Sequence, residues 1–252
     1  MVPGPAVECV AVRDLSSRGV SSRLQGWRSG KRALQLFSKL ERDFFYRLEW
    51  ETDVTDIREQ FPLDLAKTVA IAQENNWYHP RGQKTGLPMP MTSDFLATRD
   101  AGGREEFEAY YIKPLVDVEI LNSKHSTRVK NNLAKLNLER EYWKREGVKH
   151  FVVTEVDFNR VLSQNVRDVH SFYHLHSLAP LGAEDVERVH ALLFDQVKRG
   201  DQRLSHLALA CDKELGFTGG TCLKVARHLI ARHRWPVDFS VRFEPSEPLK
   251  LK

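Results

Sequence analysis

From about Asn159 onward the chain loses the strand-like alternation that punctuates everything before it, and this change of period limits the fold more than any single motif. Upstream, SRLQGWRSGKRALQLF (22–37) reads as a hairpin turning around Ser29-Gly30. SKLERDFFYRLEWE (38–51) reads as a helix opened by Ser38, with Glu41 three residues on in the pattern of a capping box. DVTDIREQFPL (53–63) alternates Ile57, Glu59, Phe61 and Leu63 as a strand does. DLAKTVAIAQENN (64–76) is a second helix, and the Pro and Gly content of WYHPRGQKTGLPMP (77–90) makes it a loop. MTSDFLAT (91–98) and FEAYYIKPL (107–115) are strands joined by the turn 99–103. NNLAKLNLEREYWKREG (131–147) is a strong helix, and KHFVVTEV (149–156) is expected to be a buried strand. Downstream, VLSQNVRDVHSFYHLHS, AEDVERVHALLFDQVKRG, QRLSHLALACDKELG and TCLKVARHLIARHRW all carry helical period, and VDFSVRFE (237–244) is expected to close the chain as a strand.

Two domains follow, residues 1–160 and 161–252. The first is mixed α/β, and its order of helix, three strands, helix and strand, with one helix inserted, matches the core of the restriction-endonuclease fold. The second, short helices ending on a strand, is expected to be a winged-helix-type module that docks on DNA or protein.

Bulk properties narrow the function classes. No stretch approaches the ~20 apolar residues of a membrane span. The opening MVPGPAVECVAVRD lacks the basic segment and apolar core of a secretory signal. The three cysteines, Cys9, Cys211 and Cys222, form no CxxC pair, which suits a reducing bacterial cytoplasm and speaks against a disulfide framework or zinc knuckle. A net charge of +4 says little by itself, but its distribution is uneven. Between Leu215 and Val237 there is no acidic residue, while Lys224, Arg227, Arg232 and Arg234 fall there with His228 and His233. A second patch gathers Arg13, Arg18, Arg23, Arg28, Lys31 and Arg32. Such stripes either touch phosphate or are merely solvated faces.

Three charged residues stand where charge is costly. Glu41 falls inside the apolar stripe of Leu40, Phe44, Phe45 and Leu48. A carboxylate there must find a cation, a donor or a proton, unless it reaches back to the Ser38 N–H or tips outward. Asp94 lies within a strand, where Asp is disfavoured. Lys113 ends a strand that is apolar on both faces for most of its length, either as a buried ammonium or as a solvated edge charge. Two carboxylates can hold Mg²⁺ through oxygen, and a nearby lysine can orient water and stabilise charge on a scissile phosphate.

At these residues the sequence resembles the TnsA family, the endonuclease subunits of heteromeric transposases that act with the TnsB recombinase and the TnsC ATPase. The resemblance runs through SKLERDFFYRLEWETDVTDIREQFPLD, MTSDFL, YYIKP and LAKLNLEREYW, over roughly residues 20 to 160. It implies a Mg²⁺-dependent DNA endonuclease, with Mn²⁺ able to substitute, that cleaves the 5′ ends of a transposon. The family's catalytic Glu, Asp and Lys map onto Glu41, Asp94 and Lys113. The family's metal-side glutamine is Tyr111 here, and a phenol is no ordinary Mg²⁺ ligand, which leaves the backbone carbonyl of Ile112, or a water, in that role. The resemblance also implies transposon-end DNA, TnsB and TnsC as partners, TnsC through the C-terminal domain. A stand-alone restriction or repair nuclease, and a non-catalytic scaffold with a decayed site, are the alternatives.

His170, His174 and His176 crowd one expected helix with no carboxylate nearby and are read as surface histidines. GFTGGT (216–221) lacks the Gly-Lys-Ser/Thr of a nucleotide-binding loop and is read as a turn.

Overall fold

The computed structural model describes residues 22–28, 32–123 and 127–252, so Arg13, Arg18, Lys31 and the Ser29-Gly30 turn lie outside the described residues. The chain divides into two compact units that meet in sequence at Phe158 and Asn159.

In the first unit β1 (Ser22–Gln25) and β2 (Ala33–Leu36) pair antiparallel as a small ribbon. Then α1 (Lys39–Trp50) begins at Ser38, whose extended backbone and hydroxyl, accepting the Glu41 N–H, form the N-cap. The main sheet has the order β3-β4-β5-β6, built from β3 (Val54–Pro62), β4 (Thr92–Asp100), β5 (Glu105–Ile112) and β6 (Lys149–Val153). The first three strands are antiparallel neighbours, and β6 joins β5 in parallel. A parallel neighbour needs a crossover. Here α3 (Leu115–Ser123) and α4 (Thr127–Arg145) provide it, while α2 (Leu65–Glu74) is the inserted helix between β3 and β4. The order expected from sequence is present, with α3 as an addition that its lack of amphipathic period had hidden.

Each sheet face has its own packing. On one, Phe44 of α1 lies against Phe95, Tyr110 and Phe158. On the other, Leu96, Ala109 and Phe61 pack with Leu138, Tyr142 and Trp143 of α4. Each fully buried large side chain stabilises by roughly 2–3 kcal/mol, and Phe44, Phe45, Phe95 and Trp143 are all essentially inaccessible. Arg99 clamps the C-terminal end of α1 to the sheet, pairing with Glu51, Asp53 and Glu108 and donating to the Tyr110 hydroxyl. The strand β6 is not buried as expected: Lys149 and Phe151 face solvent, because β6 forms the sheet's edge and only alternate residues are covered.

The second unit contains α5 (Arg160–His170), a 3₁₀ turn (Leu175–Leu178), α6 (Ala183–Arg199), α7 (Leu204–Leu215) and α8 (Thr221–Ala231). The expected helix 161–177 therefore stops at His170, and His174 caps the separate turn, so the three histidines do not share a helix. Gly216 ends α7 in a left-handed conformation, and the Asp212 carboxylate accepts the N–H groups of Gly220 and Cys222 to start α8. GFTGGT is thus a turn between helices.

The segment 237–244 does not form the expected strand. Pro236, Pro245 and Pro248 interrupt any ladder, and the tail makes only the isolated bridge Val237↔Leu251. The fully buried Asn165 takes the place of a partner strand. Its amide donates to the carbonyls of Phe239 and Val241 at 3.4 and 2.7 Å and accepts the Phe243 N–H at 2.8 Å. Among the described residues no helix is long and apolar enough to cross a membrane.

Candidate active site

The N-terminus of α1, the start of β4 and the end of β5 bring Glu41, Asp94, Ile112 and Lys113 into one region of the first unit. Glu41 is 8% exposed, and its Oε2 accepts the backbone N–H of Phe37 at 2.9 Å. The reach is one residue further back than the Ser38 N–H of a standard capping box, since the chain enters the helix from β2 with Phe37 turned toward the carboxylate. Burial, and then the charge of Asp94, push the Glu41 pKa up to about 7; its two hydrogen bonds and Lys113 oppose that rise without cancelling it.

Asp94 lies where β4 and β5 stop pairing: their last matched pair is Phe95 with Tyr110. Beyond it, Asp94 Oδ2 accepts the Ile112 N–H at 2.6 Å, taking the place of a strand carbonyl. Gln60 Nε2 donates to Oδ1 at 3.5 Å. Burial raises the Asp94 pKa, while Lys113, these donors and His150 counter it. The Lys113 ammonium favours the ionised form of both carboxylates and sits 5.0 Å from the centre of the Tyr111 ring, a cation–π distance. The Tyr111 phenol is held protonated by burial and by the neighbouring acids. The residue in the glutamine's place thus supports the ammonium from below rather than offering an anionic oxygen.

Behind the site a polar network runs toward α4. Ser93 donates to Glu139 at 2.6 Å and accepts from Trp143 Nε1 at 2.7 Å, and His150 Nε2 lies 3.3 Å from the same Glu139 oxygen. Neither this network nor Gln60 was singled out in the sequence. Glu139 sits among the apolar residues of LAKLNLEREYW, which was the available signal for the network; nothing in the sequence marks Gln60.

The donor set suits a hard divalent cation. Two carboxylates share a poorly solvated site with a single ammonium, so a divalent ion relieves their repulsion. Among the described residues no three His, Cys, Asp or Glu side chains gather as a metal cage. Two carboxylates with a carbonyl and waters is nonetheless a normal Mg²⁺ shell.

The basic residues of the sequence sit elsewhere. Lys224 and Arg227 are on α8, Arg232 caps its end and Arg234 follows, all in the second unit. Arg234 is paired with Glu187, Arg227 lies over Phe172 and Arg232 over Tyr173, while Lys224 and Arg232 are exposed. Near the N-terminus Arg28 donates to the Glu51 carbonyl and Arg32 to Glu59 and the Ile57 carbonyl, so both brace the fold.

Both units match family descriptions: "TnsA-like endonuclease N terminal" covers residues 51–155 and "TnsA endonuclease C terminal" covers 157–239. Over 213 residues the chain is 32% identical to "Transposon Tn7 transposition protein TnsA" of Escherichia coli, spanning 83% of this chain and 72% of that one. The chain belongs to the TnsA family. It is accordingly a DNA endonuclease, the endonuclease subunit of a transposase. Within this TnsA chain Asp94 and Lys113 fall inside the N-terminal family match, whereas Glu41 precedes its first matched residue and reaches the site through α1.

Proposed function

We propose that this TnsA chain hydrolyses a phosphodiester bond at the 5′ ends of a transposon in a Mg²⁺-dependent reaction, with Mn²⁺ able to replace Mg²⁺, acting alongside TnsB and TnsC. The observation that carries the reading is the pair of acids on separate elements, Glu41 and Asp94, each made harder to ionise by burial and sharing one ammonium. Glu41, Asp94 and the Ile112 carbonyl would hold the metal. When bound it supplies positive charge to polarise the scissile phosphate and lower the pKa of water. Asp94 is held by the Ile112 N–H on Oδ2 and by the Gln60 amide on Oδ1, and each oxygen keeps a further lone pair with which it would take the metal. Lys113 donates to the attacking water or to a phosphate oxygen and stabilises the charge that develops there.

The helical second unit is read as the docking module for transposon-end DNA or TnsC. Its α7–turn–α8 pair serves as the helical part of a winged-helix-type fold whose wing is reduced to one bridge, and Lys224, Arg227, Arg232 and Arg234 are its candidates for binding phosphate. The deciding experiment is Asp94→Ala, assayed for end cleavage with the full set of partner proteins. Loss of cleavage with intact complex assembly supports the reading, and undiminished nicking overturns it. Wild-type chain that cuts plasmid strongly with no partner present would point instead to a stand-alone nuclease.

A further inference from the structure

Strand side chains alternate between faces, yet β3 and β4 both break this rule at one register. In β3, Arg58 and Phe61 point to the same side, the guanidinium lying 5.3 Å from the Phe61 ring centre. Glu59 points to the other side and accepts from Arg32. In β4, Ser93 and Leu96 both face α4, through Trp143 and the core around it, while Phe95 faces α1 through Phe44. The pairs Glu59↔Phe95 and Phe61↔Ser93 flank the switch. Between them Gln60 stands opposite Asp94. Gln60 has φ 47°, one of the few positive values carried by a residue other than glycine among the described residues. In a strand, on a residue bearing a long side chain, such a backbone costs about 1–3 kcal/mol, and since the register is the same on both sides of it, both strands turn there without an inserted residue.

The Gln60 side chain is itself oriented. Its Oε1 accepts the Thr92 hydroxyl at 3.1 Å, which turns the NH₂ toward Asp94 Oδ1. We propose that Gln60 is a positioning residue of the metal site. Its left-handed backbone switches the faces of both strands so that the Asp94 carboxylate lies along β5, and its amide steadies the carboxylate oxygen that the Ile112 N–H does not hold. This rests on the divalent-metal reading of Glu41 and Asp94. Gln60 touches neither phosphate nor metal; it acts through Asp94.

Substitution isolates the amide's part of the role, because both variants keep the left-handed backbone. Gln60→Gly keeps the positive φ without strain and deletes the amide. Gln60→Asn keeps an amide on a residue that tolerates the left-handed region. The readout is Mn²⁺ titration of the full-length, DNA-free protein by electron paramagnetic resonance, with thermal melts in EDTA, and Asp94→Ala as reference. The expected result is that Gln60→Gly melts no lower than wild type yet binds Mn²⁺ roughly 10–100-fold more weakly, the usual loss when a metal ligand's hydrogen-bond partner is removed. Gln60→Asn recovers part of that affinity. Unchanged Mn²⁺ affinity in Gln60→Gly overturns the proposal while leaving the metal site standing. A melting loss in Gln60→Gly with unaltered affinity overturns it in favour of a purely structural amide. Failure of the metal reading has a different signature: wild type and Asp94→Ala then bind Mn²⁺ equally weakly, and both inferences fall together.

Discussion

Replacing Glu41 by Gln is expected to stabilise the metal-free protein in a way that depends on pH. The folded-state pKa is raised from 4.5 to about 7. At about 1.36 kcal/mol per unit this corresponds to roughly 3 kcal/mol between the two protonation states. The group is 8% exposed, so solvent screening removes little of it, but part of the shift belongs to the interaction with Asp94, and about 1–3 kcal/mol is the range to expect from Glu41 itself. The sign follows from linkage. A carboxyl whose folded pKa lies above its unfolded one binds the extra proton in the native state, so native stability is greatest below the unfolded value and declines as pH rises from there through about 7. Gln carries no proton to lose, and its carbonyl can still accept the Phe37 N–H. In EDTA the variant should exceed wild type only slightly near pH 5 and by nearly the full margin near pH 8, where a gain of this size raises the melting temperature by roughly 3–10 °C. Urea denaturation at both pH values, followed by tryptophan fluorescence, measures the difference. The same increment at both pH values, or a loss near pH 8, would show that the native state does not hold Glu41 protonated above its ordinary range. Cleavage should disappear in this variant even as stability improves.

Lys113→Met should lower the cleavage rate by about 10²–10³-fold while leaving Mn²⁺ binding intact or tighter, because the acids lose a competing cation; cleavage at the wild-type rate would remove Lys113 from the mechanism. Neutralising Arg227 and Arg232 together should flatten the salt dependence of DNA binding, by about 0.9 in slope for each phosphate that the protein no longer neutralises. An unchanged slope assigns that surface to protein docking.

The candidate triplet stands out in the sequence because charge is costly in regular structure. Glu41 stood inside an apolar helical stripe, Asp94 inside a strand and Lys113 at the end of an apolar one, and all three reach one region of the fold. The element order was legible for the same reason, since period separates helices from strands. Long-range satisfaction was not legible. VDFSVRFE alternates as a strand should, but Asn165, more than seventy residues earlier, meets its backbone groups, and flanking prolines stop it from laddering. Likewise the run from Val161 to Ser177 keeps helical composition past His170, where the chain turns and the Phe172 carbonyl accepts from His228 Nδ1 instead. Gln60 was invisible because a backbone dihedral leaves no trace in a residue type that commonly sits in ordinary strands. The position of Tyr111 was readable, but its service beneath the Lys113 ammonium was not, since that depends on where the side chain of Lys113 folds back.

Asp94 is also a rung of the sheet, standing in for the main-chain acceptor that Ile112 would otherwise lack. A descendant released from selection for cutting could discard Lys113 at little cost to its architecture, but not the acceptor. The neutral residue of the same shape, Asn, is what drift should leave at position 94, and an aliphatic replacement there should open the seam between the two strands. Extinct activity in this lineage would thus leave a recognisable fossil: a silent amide still holding the seam closed.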